Sequence, residues 1–351
     1  MNTENKPYFH EMKHYILMLC MGIMSCSVSW AQQVEQPDTT NQYPRMARLK
    51  GVGGSIVPGV LLHGMGHKIM GDKETGRKLL KIEGISLATG VGSLVALGLL
   101  GNADETAGVL IPVSMFSFGT FAATWLFDIM GTSGLSNHLT PGNHPYQQSF
   151  VNFSYIQQDN NQSPYYNFYG GTMQYANNKL FAQLYTEVEE SSDYQEYAFK
   201  GGYNIRKKDY TNLYVIPELK YRHSSEGFSI SQFDVQLEMD INLAKLSNTL
   251  KNVYFINTLG YGNSQFHFGG NGFDYSNNLM IISQGIRVTV KDLVDISTRY
   301  IRREDGFIAG RNYLLTHFEH RVRLNFKDLF TELRFTHGQG FRTTINLGLQ
   351  L

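Results

Sequence analysis

Cysteine is almost missing from this chain of 351 residues: only Cys20 and Cys26 occur, both near the start. Removal of that leader leaves no disulfide and no thiol chemistry. Net charge is missing too, since 30 Lys and Arg balance 30 Asp and Glu. With no net field and no long basic run, no nucleic-acid partner is expected. Prolines number only 9, while glycines number 35 and aromatics make up 13%. That balance belongs to a β-rich chain and not to a disordered one. Nothing calls for a cofactor, and none is expected.

Residues 1–31 read as a signal peptide. Lys13 and His14 precede an apolar run from Tyr15 to Val28, which ends at Ser29-Trp30-Ala31, a small-x-small cleavage site. The run is short for a membrane span. Met12 gives a cleaner start than Met1, because Glu4 and Glu11 interrupt the positive lead. Lipidation of Cys26 is the alternative processing route. Either route implies export.

Residues 32–50 are polar and read as a flexible tether. Residues 51–140 form an apolar helical region. A short helix is expected around Ile56–Met70, a second from Glu74 to Leu100, and a third from Glu105 to Met130. Ile85–Leu100 and Val109–Phe127 carry no charge, and Gly84, Gly90, Gly92 and Gly98 would let two helices approach. Three placements stay open: a hairpin touching the inner leaflet beside a barrel, an inner-membrane anchor, or the core of a periplasmic domain.

Within that region lies VPGVLLHGMGHKIMGDKETGRKLL, residues 57–80. His63 and His67 are four apart, so on one helix they would share a face. They could hold a metal ion there, with Asp72 or Glu83 adding an oxygen. The glutamate of an HExxH protease is absent, because Gly64 follows His63. The alternative is hydrogen-bonded polar residues at helix ends, with glycines serving turns. The Pro-Gly, Gly-His, Gly-Asp, Gly pattern resembles uncharacterised bacterial envelope proteins, a resemblance that implies no chemistry.

From residue 146 to 351 the pattern becomes strict alternation. In Phe233–Leu243 every odd residue is apolar, and Asp234, Gln236, Glu238, Asp240 and Asn242 fill the even places. Only a strand sorts side chains this way. About twelve such segments start near Phe150, Asn167, Leu180, Tyr197, Leu213, Phe228, Lys251, Leu279, Leu293, Tyr313, Leu329 and Phe341. Connections at one end are short, such as Asn177–Lys179, Lys291-Asp292 and Lys327-Asp328. Those at the other, such as Asn263–Asn278 and Arg303–Asn312, are long and rich in Gly, Asn and Ser. The fold expected is mainly β: a twelve-stranded antiparallel transmembrane β-barrel preceded by an apolar α-helical hairpin region. A soluble β-domain behind a helical anchor is the alternative.

The chain thus resembles bacterial outer-membrane β-barrels as a class, which implies residence in the outer membrane and contact with its lipid. It ends in Leu351, where those barrels commonly carry an aromatic residue. Parity places Glu187, Lys200, Arg206, Glu218, Lys220, Asp234, Glu238, Arg287, Arg299, Glu319, Arg321, Arg323, Glu332 and Arg334 in the lumen. Mixed charges there would pair across a narrow interior.

One segment points elsewhere. His223-Ser224-Ser225-Glu226-Gly227 resembles the His-x-Ser-x-Gly motif of outer-membrane phospholipase A. The resemblance implies His223 as base and Ser225 as nucleophile, both with lipid-facing parity. The next strand offers Ser229, Ser231, Phe233 and Val235 on that face, so a third member to orient the histidine is missing. The expected role is therefore a non-enzymatic barrel, structural or narrow and channel-like. The alternatives are a lipid hydrolase, or a scaffold that docks an envelope partner through residues 51–140. Oligomeric state is not fixed by these patterns.

Overall fold

In a strand, side chains alternate between two faces, and a sheet that is apolar on one face and polar on the other gains by closing on itself. The computed structural model describes residues 43–100, 104–133 and 145–351, apart from short stretches at 161–162, 192, 209, 226, 270–273, 291–292, 304–306, 309–310, 313–315 and 339. The expected signal peptide, residues 1–31, and most of the expected tether lie outside the described residues.

The larger unit is a closed antiparallel barrel of twelve strands. They are β1 (Phe150–Asn160), β2 (Ser163–Ala176), β3 (Leu180–Glu189), β4 (Tyr194–Lys208), β5 (Thr211–Ser224), β6 (Phe228–Asn242), β7 (Val253–Phe268), β8 (Asp274–Val290) and β9 (Val294–Arg303). A small separate hairpin follows, β10 (Phe307–Ile308) with β11 (Arg311–Asn312). The barrel then resumes with β12 (Thr316–Phe326), β13 (Leu329–His337) and β14 (Gly340–Gln350). Phe153 on β1 lies opposite both Gly171 on β2 and Leu347 on β14, so the sheet has no free edge there.

Alternation decides the faces. On β6, Phe233 and Val235 are exposed on the outside while Gln232, Asp234 and Gln236 are buried inside. Phe153, Leu184, Phe199, Leu219 and Leu347 join the same outer band, all of them exposed. Barrel strands run from 9 to 17 residues, against about five or six for an ordinary strand.

Two expectations about the barrel need correcting. The stretch Asn263–Asn278 is not a loop. Asn263 pairs with Asn278, Ser264 with Asn277 and His267 with Asp274, so a polar ladder carries β7 and β8 well past their apolar alternation. Arg206 does not belong to the inward set. A bulge between Asn204 and Arg206 adds one residue to β4 and sets Arg206 opposite Leu213. Leu213 shares the outward parity of Val215 and Leu219, so the bulge turns Arg206 out of the lumen.

The smaller unit comprises the described residues from Tyr43 to Ser133 together with Ala244–Lys251, the connection between β6 and β7. Its helices are α1 (Arg45–Ile56), α2 (Met65–Met70), α3 (Lys73–Leu100) and α4 (Asp104–Ser133). The expected tether therefore ends earlier than residue 50, because α1 starts at Arg45. The expected helix over Ile56–Met70 is broken instead of continuous. Pro58 opens a separate 3-10 turn over Pro58–Val60, and Gly64 precedes α2 with φ +86, a left-handed value that favours glycine. At Gly66 a Cβ would stand 1.8 Å from Ser55 Oγ, so only glycine lets α1 and α2 meet. Leu79, Ala123 and Phe127 form apolar contacts of the interior, each nearly inaccessible.

Candidate functional site

The lumen is built in three layers. At the near end, where β1 begins, the turn Pro145–Gln147 sends Tyr146 inward. Its ring stacks on Phe181 at 4.2 Å between centroids and meets Tyr214 edge-on at 5.1 Å. Ser149 pins the segment by accepting from the backbone N–H of Ala176 at 2.9 Å. Gly202 makes room for this stack, since a Cβ there would lie 2.0 Å from the Phe181 ring. At the far end a second apolar cluster packs inside the barrel: Ile156, Phe168, Tyr194, Phe228, Ile230 and Phe266. These are inward positions occupied by apolar residues, an arrangement that parity alone does not announce.

Between the two layers lies a polar chamber of about 460 Å³. Eleven of the expected lumen residues line it: Lys200, Glu218, Lys220, Glu238, Arg287, Arg299, Glu319, Arg321, Arg323, Glu332 and Arg334. Glu187 and Asp234 also face inward but sit behind the chamber wall. Glu187 takes a hydrogen bond from Tyr185 and pairs with Arg342 Nη2 at 2.5 Å. Asp234 accepts from the side-chain amides of Gln232 and Gln236, each at 2.7 Å. Tyr146, Tyr185 and Glu196 line the chamber as well. Of these, Glu196 and Tyr185 follow from parity, whereas Tyr146 precedes the first strand and no alternation marks it.

Charge inside a low-dielectric wall is costly unless paired. Most lumen charges have partners: Arg299 Nη1 with Glu238 at 3.0 Å, Arg334 Nη2 with Glu332 at 2.9 Å, and Arg222 Nε with Glu196 at 2.9 Å. Arg287 reaches Asp240 at 3.4 Å and Lys220 reaches Glu218 at 3.3 Å. Arg323 is different. Its Nε donates to Asn325 Oδ1 at 3.0 Å, and its guanidinium lies 3.7 Å from the centre of the Phe330 ring.

The sequence motif on β5 is placed outside the lumen. His223 and Ser225 are both exposed near the far end. Ser225 Oγ donates to Asp193 Oδ1 at 2.8 Å. A nucleophilic serine gives that proton to its base, and here it goes to a carboxylate on the neighbouring turn instead of to His223.

The expected metal ligands are likewise dispersed. His63 sits in the turn before Gly64 and His67 on α2, so no single helix carries both. His63 Nδ1 meets Thr124 Oγ1 at 2.6 Å, and its backbone N–H donates to Glu83 at 2.9 Å. Burial holds the His63 imidazole below its ordinary pKa, and the Asp128 charge opposes that in part. His67 Nδ1 meets Asp128 Oδ1 at 2.6 Å, and its Nε2 meets Thr249 Oγ1 at 3.1 Å. Asp72 caps the next helix by accepting from Thr75 N at 3.0 Å. Among the described residues no group of three or more such ligands converges.

Neither a protein-family model nor a curated protein matches the chain. Solved structures resemble it only in part. The KdgM porin shares 9% identity at a TM-score of 0.38, over 57% of this chain and 99% of its own. The NanC porin shares 10% at 0.40, over 57% and 100%. The translocator domain of the autotransporter NalP from Neisseria meningitidis shares 12% at 0.39, over 59% and 88%. Likenesses this partial carry no argument about what the chain does.

Proposed function

We propose that this chain is an outer-membrane β-barrel, structural or narrow and channel-like, with its lumen stoppered at both ends. The observation that carries the reading is the inversion of faces. Phe153, Leu219, Phe233 and Leu347 are exposed on the outside, while Arg287, Glu238 and Asp234 are buried within. A soluble protein does not expose a continuous apolar band around its whole girth, whereas a membrane barrel requires one. In lipid a closed sheet also leaves no backbone group unpaired. Strands of 14 to 17 residues such as β5, β7 and β8 exceed the ~9–11 that a tilted crossing needs.

The smaller unit fits the same setting. Lys73–Leu99 and Thr106–Ser133 are long and apolar enough to meet a membrane. Ile85, Val91, Leu94 and Leu99 stand exposed on α3, and lipid is their partner in this reading. Export through the leader supplies the route.

The test is gel mobility of the outer-membrane fraction, boiled against unboiled. A faster unboiled band supports a compact, detergent-resistant barrel. No shift, with the protein in the inner-membrane fraction, overturns the reading in favour of a helical anchor and a soluble β-domain.

A further inference from the structure

We infer that the lumen chamber is a binding site for a small anion bearing a carboxylate or phosphate group. The inference rests on the closed barrel of the proposed function and adds a ligand class to it.

Nine of the side chains lining the chamber are Lys or Arg, and five are Glu. Inward acids off the chamber wall offset that surplus: Glu187 holds Arg342, Asp240 holds Arg287, Asp234 is held by Gln232 and Gln236, and Asp295 stands opposite Arg323 on the neighbouring strand. Arg323 and Lys200 are the lining cations that make no close ion pair. Among the described residues no carboxylate lies within 4.0 Å of either. Arg323 rests on Phe330, and Lys200 lies 5.6 Å from the centre of the Tyr146 ring. Lys200 therefore abuts the Tyr146 layer, and Arg323 is held by a ring on β13.

The unmade hydrogen bonds point the same way. Arg323 Nη2, Arg287 Nη1 and Nε, Arg321 Nε and Arg334 Nε are buried without an acceptor, and all four arginines line the chamber. Arg287 is 1% exposed and Arg323 4%. Of the lining carboxylates only Glu238 carries a buried oxygen without a donor. Buried donors left unpaired are costly, and on the chamber wall these five nitrogens face one such carboxylate oxygen, with further bare oxygens on Glu187 and Asp295 behind it. A planar guanidinium answers a carboxylate or phosphate with two parallel bonds. The volume of about 460 Å³ holds such a group on a short carbon skeleton with a few waters, each of about 30 Å³.

The test uses the full protein, solubilised in a non-ionic detergent and first checked for the fast unboiled band. Calorimetric titration takes inorganic phosphate and succinate as two probes, with chloride at matched ionic strength and spermidine as controls. The expected result is saturable binding of one or both probes, and none of spermidine. Arg323→Gln weakens that binding about tenfold while the fast band persists. Should Arg323→Gln lose the band, Lys200→Gln replaces it, because that change breaks no ion pair. A preference for one probe separates the phosphate source from the carboxylate source. A fast band with no binding beyond chloride, or unchanged affinity in a folded variant, overturns the inference alone. A wild type without the fast band takes the barrel reading down as well.

Discussion

His67 Nδ1 and Asp128 Oδ1 stand 2.6 Å apart, and neither side chain has any solvent-accessible surface. The carboxylate does more than hold the imidazole. Asp128 also accepts the backbone N–H of Gly66 at 2.9 Å and of His67 at 3.1 Å, so it caps the start of α2 from α4. Three donors converge on one buried acceptor.

Removing that acceptor strands all three. Asp128→Ala is expected to destabilise the helical unit by about 3–5 kcal/mol, the cost of breaking one side of a buried pair. Trp125, the only tryptophan after the leader, donates to Ser55 O at 2.9 Å within the same unit. Its fluorescence during urea unfolding reports the change. A midpoint within error of the wild type would contradict this account of Asp128.

Acid is expected to weaken the same unit through His63. Its folded pKa is lowered by burial, so the unfolded chain binds the proton more readily. The stability it contributes is fully present above the ordinary value of about 6.5, and it is lost as pH falls from there toward the folded value. Urea midpoints read from Trp125 between pH 7.5 and pH 5 should decline, and His63→Gln should flatten part of that slope. A variant with the full wild-type slope would place the proton elsewhere.

Tyr146→Ala removes the ring stacked on Phe181 without touching any ion pair of the chamber. It is expected to open the near end and raise conductance in planar bilayers above that of the wild type. Far-end residues Phe228 and Phe266 stay in place, so the increase should be modest, and the Tyr146→Ala, Phe228→Ala double variant should exceed it. Equal conductance in all three proteins would mean that neither layer limits passage.

The outer face is expected to reject charge only in lipid. Leu347 is 61% exposed, and Leu347→Arg should cost about 2–4 kcal/mol near a bilayer midplane. Urea unfolding in phospholipid vesicles measures it. A barrel that stood in water would tolerate the change with little effect.

The barrel was legible because its signal is local. On β6 the faces of Phe233 and Asp234 follow from neighbours two residues away, whatever the rest of the chain does. The bulge before Arg206 is not local: one extra residue reverses parity, and nothing in Asn204-Ile205-Arg206 announces it. The far-end cluster escaped for a related reason. Ile230 and Phe266 are apolar residues on the inward face, and a rule that sends apolar side chains outward misassigns such positions. Tyr146 lies outside any strand, so only the closed sheet reveals what it stacks on. In the helical unit Pro58 and Gly64 were visible breakers, yet the apolar run across them suggested one helix. The hydrogen bonds of His63 and His67 depend on Thr124, Asp128 and Thr249, which no spacing within residues 57–80 brings near.

The connection between β6 and β7 supplies Thr249 to a unit whose other described elements all precede residue 134. Translation therefore delivers the two partners at different times. At roughly 5–20 residues per second, the 182 positions from His67 to Thr249 take on the order of ten to thirty-five seconds. During that interval His67 Nε2 lacks the Thr249 hydroxyl, and the first helices made receive their last piece only after β1 to β6 have been synthesised. The amino-terminal helices thus depend on a segment synthesised between two barrel strands. A nascent chain halted at the end of β6 lacks a piece of its own helical unit.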